Sequence, residues 1–211
     1  MSRFRATTPQ RLVGELAEWL ASLTAPGPAL RVAVDGAPVA QPVALARSLV
    51  DPLRERGRPT AIVAADTFWR DASLRLEYGR EDVDAYLEWL DAAALQREVL
   101  DPLGAGGSGQ FITSLRDPRT NRATRAELVT AGPGAIVVVA GALLFGRGLP
   151  FDATVHLSLT SAALRRRTDA DDLWTLVAFE QYERTTGPQR TADVLVRVDD
   201  PARPAIRDGA P

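Results

Sequence analysis

The stretch RVAVDGAPVAQPVALARSLV (residues 31–50) opens with an apolar run from Arg31 to Asp35, passes a glycine and a short loop, and continues into a helix-like apolar pattern. Strand, glycine turn and helix in that order is the layout of a phosphate-binding loop, G-x-x-x-x-G-K-[ST], with Gly36 in the place of the first glycine. The positions for the second glycine, the lysine and the hydroxyl hold Gln41, Pro42 and Val43. The frame of an anion site is there without the residues that hold the anion.

Outward from this stretch, the composition narrows the function. With 211 residues, 45% hydrophobic and 25% charged, the chain is long enough for one domain with a sizeable core. A net charge of −2 gives no basic footprint for nucleic acid or an anionic membrane surface. No apolar run approaches the roughly 20 residues of a membrane span. The opening MSRFRATTPQ lacks the apolar centre of a signal peptide, so the expected location is the cytoplasm. Cysteine is absent, which excludes disulfide and thiolate chemistry, and a single histidine, His156, argues against a zinc cluster; no metal site is expected. All 25 Lys+Arg residues are arginine, so no lysine elsewhere can stand in for the one missing from the loop.

Thr8-Pro9 is a cap and first-turn pair, followed by Leu12, Leu16, Trp19 and Leu20 at helical spacing. TAPGPA (24–29) ends that helix as a hinge. Strands are predicted at 31–35, 60–65, 135–140, 153–159 and 193–198, and helices at 43–57, 81–100, 160–167 and 171–184, with Pro52 kinking or restarting the first of these. Apolar strands alternating with helices predict an α/β fold: a doubly wound, mostly parallel five-stranded sheet with helices on both faces. GAGGSG (104–109) follows a helix rather than a strand and reads as a connection. The expected organisation is an N-terminal helix and hinge over 1–28, the main domain over 29–205 and a frayed tail over 206–211.

The order of these pieces resembles the uridine kinase-like branch of the P-loop nucleoside kinases, the phosphoribulokinase/uridine kinase group, over about residues 29–205. RVAVDG matches the strand and first glycine of the loop. AADTFWR (64–70) resembles the second strand with its Asp-x-Phe ending. YLEWLDAAALQREVLDPLGAGG resembles the helical acceptor-side insert, and RDPRTNR (116–122) the segment that closes that pocket. AIVVVAGALLF stands where the group has a strand ending in an acid-glycine pair, ALRRRTDAD resembles the arginine-bearing lid, and ADVLVRVDDPARP the last strand and exit.

The resemblance implies ATP and Mg²⁺ as cofactors, but their ligands are missing and none is expected here. In such kinases the loop lysine meets the β- and γ-phosphates and the next hydroxyl binds Mg²⁺. Pro42 and Val43 occupy those places, proline also lacks the N–H such a loop aims at phosphate, and the acid before the third-strand glycine is Ala140. Ala170 takes the place of a second lid arginine, although Arg165, Arg166 and Arg167 remain. At roughly 1.5–3 kcal/mol for each charged hydrogen bond, these losses total roughly 6–12 kcal/mol. That is roughly four to nine orders of magnitude in rate.

The acceptor side keeps its chemistry. Asp66 ends the second strand, where the resemblance implies an acid that takes the acceptor's proton; a helix cap is the other reading. Phe68, Trp69 and Arg70 follow, suited to a flat ring or an anionic group, or to the core. Tyr86 and Trp89 share a helix face that suits either packing or a ligand, and Asp91 is placed by the resemblance near a sugar hydroxyl. Arg116 and Asp117 precede a turn that is either a pocket wall or solvated. His156 alternates with apolar residues and reads as a structural histidine. The expected partner is therefore a small-molecule ligand or substrate, bound without phosphoryl transfer, with a homo-oligomer left open. Two alternatives remain: an ATP-independent enzyme using Asp66 as general acid/base, or a weak nucleoside kinase with arginine in place of the lysine.

Overall fold

The computed structural model describes residues 3–207. The chain runs through β1 (Phe4–Ala6), α1 (Pro9–Ser22), β2 (Ala29–Gly36), α2 (Pro42–Ser48), α3 (Val50–Glu55) and β3 (Thr60–Ala64). There follow the short helices α4 (Ala72–Arg75), α5 (Val83–Leu87), α6 (Ala92–Leu95) and α7 (Asp101–Leu103), then a small hairpin of β4 (Gln110–Phe111) and β5 (Val129–Thr130). The second half contains β6 (Ala135–Gly141), β7 (Ala153–Ser158), α8 (Ser161–Arg167), α9 (Leu176–Thr185), α10 (Pro188–Thr191), β8 (Val194–Arg197) and β9 (Ala205–Arg207). No helix among the described residues is long and apolar enough to cross a membrane.

The main sheet has the order β1-β9-β8-β7-β2-β6-β3. Its five parallel strands are those predicted from the apolar runs. Two three-residue strands extend it to seven, with β9 antiparallel to both β8 and β1. Residues 206 and 207, expected in a frayed tail, thus form part of an edge strand, while the rest of that segment lies outside the described residues.

Both faces of the parallel sheet are buried because its strands are apolar at successive positions. Leu30, Val32 and Val34 of β2 pack with Leu12, Leu16 and Leu20 of α1 and with Ala46 and Leu53, whereas Ala29 and Ala33 face Leu95, Val99, Leu100 and Leu103. Thr8 accepts from the Arg11 N–H at 3.2 Å and Pro9 opens α1, as the sequence indicates. The helix holding Pro52 breaks at Leu49 and restarts as α3.

The helix predicted over 81–100 is instead a series of short pieces. Asp82 and Asp91 each cap a new start by accepting from Ala85 and Ala94 N–H, and a strand-like bridge joins Trp69 to Leu90 between them. GAGGSG packs on the hinge: a Cβ on Gly27 would lie 2.3 Å from the Gly104 backbone, so the two glycine segments cross closely.

Candidate functional site

The carboxyl ends of β2, β3 and β6 open onto a cleft of about 620 Å³, the position at which open α/β sheets bind ligands. One wall is the loop between β2 and α2. Gly36 is retained by packing, since a Cβ there would meet Leu157 Cβ at 2.9 Å. Beyond it, Pro38–Ala40 forms a tight turn in which the Ala40 N–H donates to Ala37 O at 2.8 Å and the Gln41 N–H to Pro38 O at 3.0 Å. Gln41 sits in the left-handed region at φ 61°, and Pro42 occupies the first turn of α2, where its missing N–H costs little. Gln41, Pro42 and Val43 all face the cleft, as does Ala140.

The floor is the turn Ala65–Phe68 that follows β3. Here Asp66 lines the cleft, and burial pushes its carboxyl above the ordinary range, against the opposing effect of the Thr67 and Asp66 N–H groups and the charge of Arg47. The turn is set by Gly141, which ends β6: a Cβ added there would meet Ala65 Cβ at 2.5 Å.

The far wall is aromatic. Tyr86 lies at the centre of edge-on contacts with Trp89, Trp174 and Phe179 at centroid distances of 4.9, 5.2 and 6.1 Å, and Trp69 meets Trp89 at 5.1 Å. Arg75 is buried behind them, its guanidinium 5.0 Å from the Trp69 ring and 4.8 Å from that of Trp89. The Trp89 indole donates to Arg75 O at 3.2 Å. Trp174 Nε1 is buried with no acceptor, an orphaned donor of the kind that calls for a partner.

Of the residues singled out in the sequence, the structure brings Asp66, Trp69, Tyr86 and Trp89 together with the loop residues Gln41, Pro42 and Val43. Phe68 is instead wholly buried in the core with Leu90 and Leu95. Arg70 is turned outward, 3.8 Å from Glu88. Asp91 is the cap of α6, so its carboxylate is engaged by the backbone. Arg116 pairs with Asp71 at 3.1 Å, and Asp117 accepts from the Arg119 and Thr120 N–H groups within its turn. Arg165 and Arg166 are exposed, whereas Arg167 donates to the carbonyls of Val198 and Val39. These eight lie outside the cleft. Sequence reasoning missed Arg80, Leu143, Arg147 and Asp169, which line it from loops, and Asp172 and Trp174, which line it from the 3₁₀ turn Ala170–Thr175 that leads into α9.

A second group of polar residues stands beside the cleft. Asp35, fully buried at the end of β2, is 2.7 Å from His156 Nδ1 and accepts from the Tyr182 hydroxyl at 3.1 Å and from the Leu144 N–H at 2.9 Å. His156 Nε2 lies 3.2 Å from Glu183, and Tyr182 accepts in turn from the Phe145 N–H. Burial alone would lower the His156 pKa, but the two carboxylates outweigh it and raise it to about 9. Burial and the Asp35 charge push the Tyr182 hydroxyl far up. The signal was in the sequence: an acid at the end of an all-buried strand must be partnered.

No family model and no curated protein matches the sequence. Solved structures do match. A protein described as a possible uridine kinase from Bacillus stearothermophilus superposes with a TM-score of 0.70 at 19% identity, covering 88% of this chain and 97% of its own. One described as a candidate fructose transport system kinase from Silicibacter sp. TM1040 gives a TM-score of 0.62 at 24% identity, covering 80% and 94%. With its 2-3-1-4-5 order of parallel strands and its loop between β2 and α2, the chain shares the fold of these two structures, a P-loop kinase-like α/β fold.

Proposed function

We propose that this protein has lost phosphoryl transfer and binds a small polar or aromatic molecule in the cleft. The observation that carries this reading is the closure of the β2–α2 loop on itself. A phosphate-holding loop turns its N–H groups toward a shared anion. Here Ala40 and Gln41 give theirs to Ala37 and Pro38, and Pro38 and Pro42 have none to give. The metal-side positions are the apolar Val43 and Ala140, so the residues present do not fit ATP with Mg²⁺. Of the lid arginines a substituted kinase would draw on, Arg167 is engaged by two backbone carbonyls, and Arg165 and Arg166 do not line the cleft. The other side of the cleft keeps an aromatic wall, an acid and an unpartnered indole N–H, which is the make-up of a small-molecule site.

Isothermal titration with ATP and Mg²⁺ tests the reading: no saturable binding below millimolar concentration is expected. A micromolar Kd would overturn it in favour of a weak nucleoside kinase.

The position of Asp66 favours a second reading. A half-buried carboxyl with a raised proton affinity, facing a cleft, is suited to general acid/base work without ATP. On that reading Asp66→Asn lowers turnover of the cleft's substrate by about 10²–10⁴-fold while leaving the fold intact.

A further inference from the structure

The charges facing the cleft are unbalanced. Asp66, Asp169 and Asp172 line it against Arg80 and Arg147. Arg80 is taken by Asp172 at 2.9 Å. Arg147 donates to the carbonyls of Leu143 and Leu87 and lies 3.6 Å from Glu88, which is outside the cleft. Asp66 and Asp169 therefore face the cleft with no lining cation beside them, and Arg47 reaches Asp66 only through its field. An anionic ligand would meet two carboxylates and no unengaged arginine of the lining.

The aromatic wall points the same way. Ring faces attract cations, most strongly when the cation is desolvated. The protein already uses these rings so: the Arg75 guanidinium stacks on Trp69 and Trp89 from behind the wall. A flat, delocalised cation thus already packs on this indole pair, on the side away from the cleft. Trp174 lines the cleft with its Nε1 lacking an acceptor, and the unpaired Asp66 and Asp169, rather than the indole, require a ligand oxygen placed there to be neutral.

Resting on the reading that the cleft is the binding site, we propose that its ligand is a planar delocalised cation, an amidinium, guanidinium or protonated amino-heterocycle, carrying a neutral oxygen and no phosphate or carboxylate. Its positive end meets Asp66, its ring lies on the Trp69–Trp89–Trp174 wall, and Asp169 adds long-range attraction from the rim. Because burial favours the protonated form of Asp66, affinity should rise with pH as that carboxyl ionises.

Three isosteric probes that differ in the charge of the head group test this: 4-methoxybenzamidine, 4-methoxybenzamide and 4-methoxybenzoate. Calorimetry and tryptophan fluorescence should show the amidine binding at least about tenfold more tightly than the amide, and the benzoate most weakly. Asp66→Asn should remove most of that advantage, with Asp169→Asn as a second variant should the first fold poorly. If the amide or the benzoate binds as well as the amidine, the cationic class is wrong while the cleft stands as a binding site. If no probe binds, or if amidine affinity is unchanged by Asp66→Asn, Asp169→Asn and Trp174→Phe alike, the cleft reading fails and the inference with it.

Discussion

Two aspartates stand at the carboxyl edge of the sheet, Asp35 ending β2 and Asp66 just after β3, with β6 between their strands. Around Asp35 the protein has filled the carboxylate: an imidazole, a phenol and a backbone N–H converge on it, and it is closed to solvent. Around Asp66 it has supplied only local N–H groups and left the acid facing a cleft. A carboxylate saturated by its own chain is part of the frame, and one left open is available to something else. The same division separates His156, bonded through both ring nitrogens, from Trp174, whose Nε1 has no acceptor.

The largest expected effect breaks the closed member of the pair. Asp35→Ala removes one partner of a buried charge pair and should cost about 3–5 kcal/mol. Asp66→Asn should stay within about 1 kcal/mol. Urea unfolding measures both, and equal costs would abolish the distinction between them.

The next effect is carried by pH. The folded pKa of His156, about 9, lies above its ordinary 6.5, so its contribution is complete below pH 6.5 and is lost as pH rises through 9. The loss should be on the order of 3 kcal/mol. His156→Gln should flatten the profile, and because this is the only histidine in the chain, its ring can be followed by NMR without ambiguity. A wild-type profile that is flat between pH 6.5 and 9 would show that the network holds no proton of consequence.

Smaller still is repair of the loop. Gln41→Gly, Pro42→Lys and Val43→Thr together should leave the fold intact and tighten ATP–Mg²⁺ binding about 10–100-fold, the worth of one charged hydrogen bond. Turnover should stay negligible because Ala140 leaves the metal side unsupported. Substantial turnover from these three changes would show that Ala140 matters little.

The least effect is expected from Gln41→Gly alone. Glycine accepts φ 61° without the strain a side chain meets there, yet loses more freedom on folding, so a gain below about 1 kcal/mol is expected in thermal unfolding.

What could be read in advance followed burial. The five parallel strands are apolar at successive positions because both their faces are covered, and each was legible for that reason. β1 and β9, reading FRA and AIR, are too short to carry a pattern and exist through pairing with each other and β8. The break at 88–91 was hidden because Tyr86, Trp89 and Leu90 also fit one helix face, while the chain in fact bridges Leu90 to Trp69. At the site, Asp66, Trp69, Tyr86 and Trp89 could be named from sequence. Phe68 could not be sorted from Trp69, because adjacent residues of a tight turn point apart and only the packing decides which enters the core. Arg147, in the loop after β6, and Trp174, in the 3₁₀ turn before α9, are distant in sequence, and only the tertiary fold brings them to the cleft.

The contact of Gly141 with Ala65 has a mechanical consequence. With no clearance for even one added carbon, the end of β6 acts as a stop against which the following turn is seated. A methyl at 141 would act as a wedge, lifting Ala65 and tilting the turn that carries Asp66, so that the acid would be misaimed with every atom of the cleft's own lining side chains still present. Selection for whatever the cleft holds is thereby extended to a position with no side chain at all, and Gly141→Ala should disturb Asp66 before it disturbs the fold.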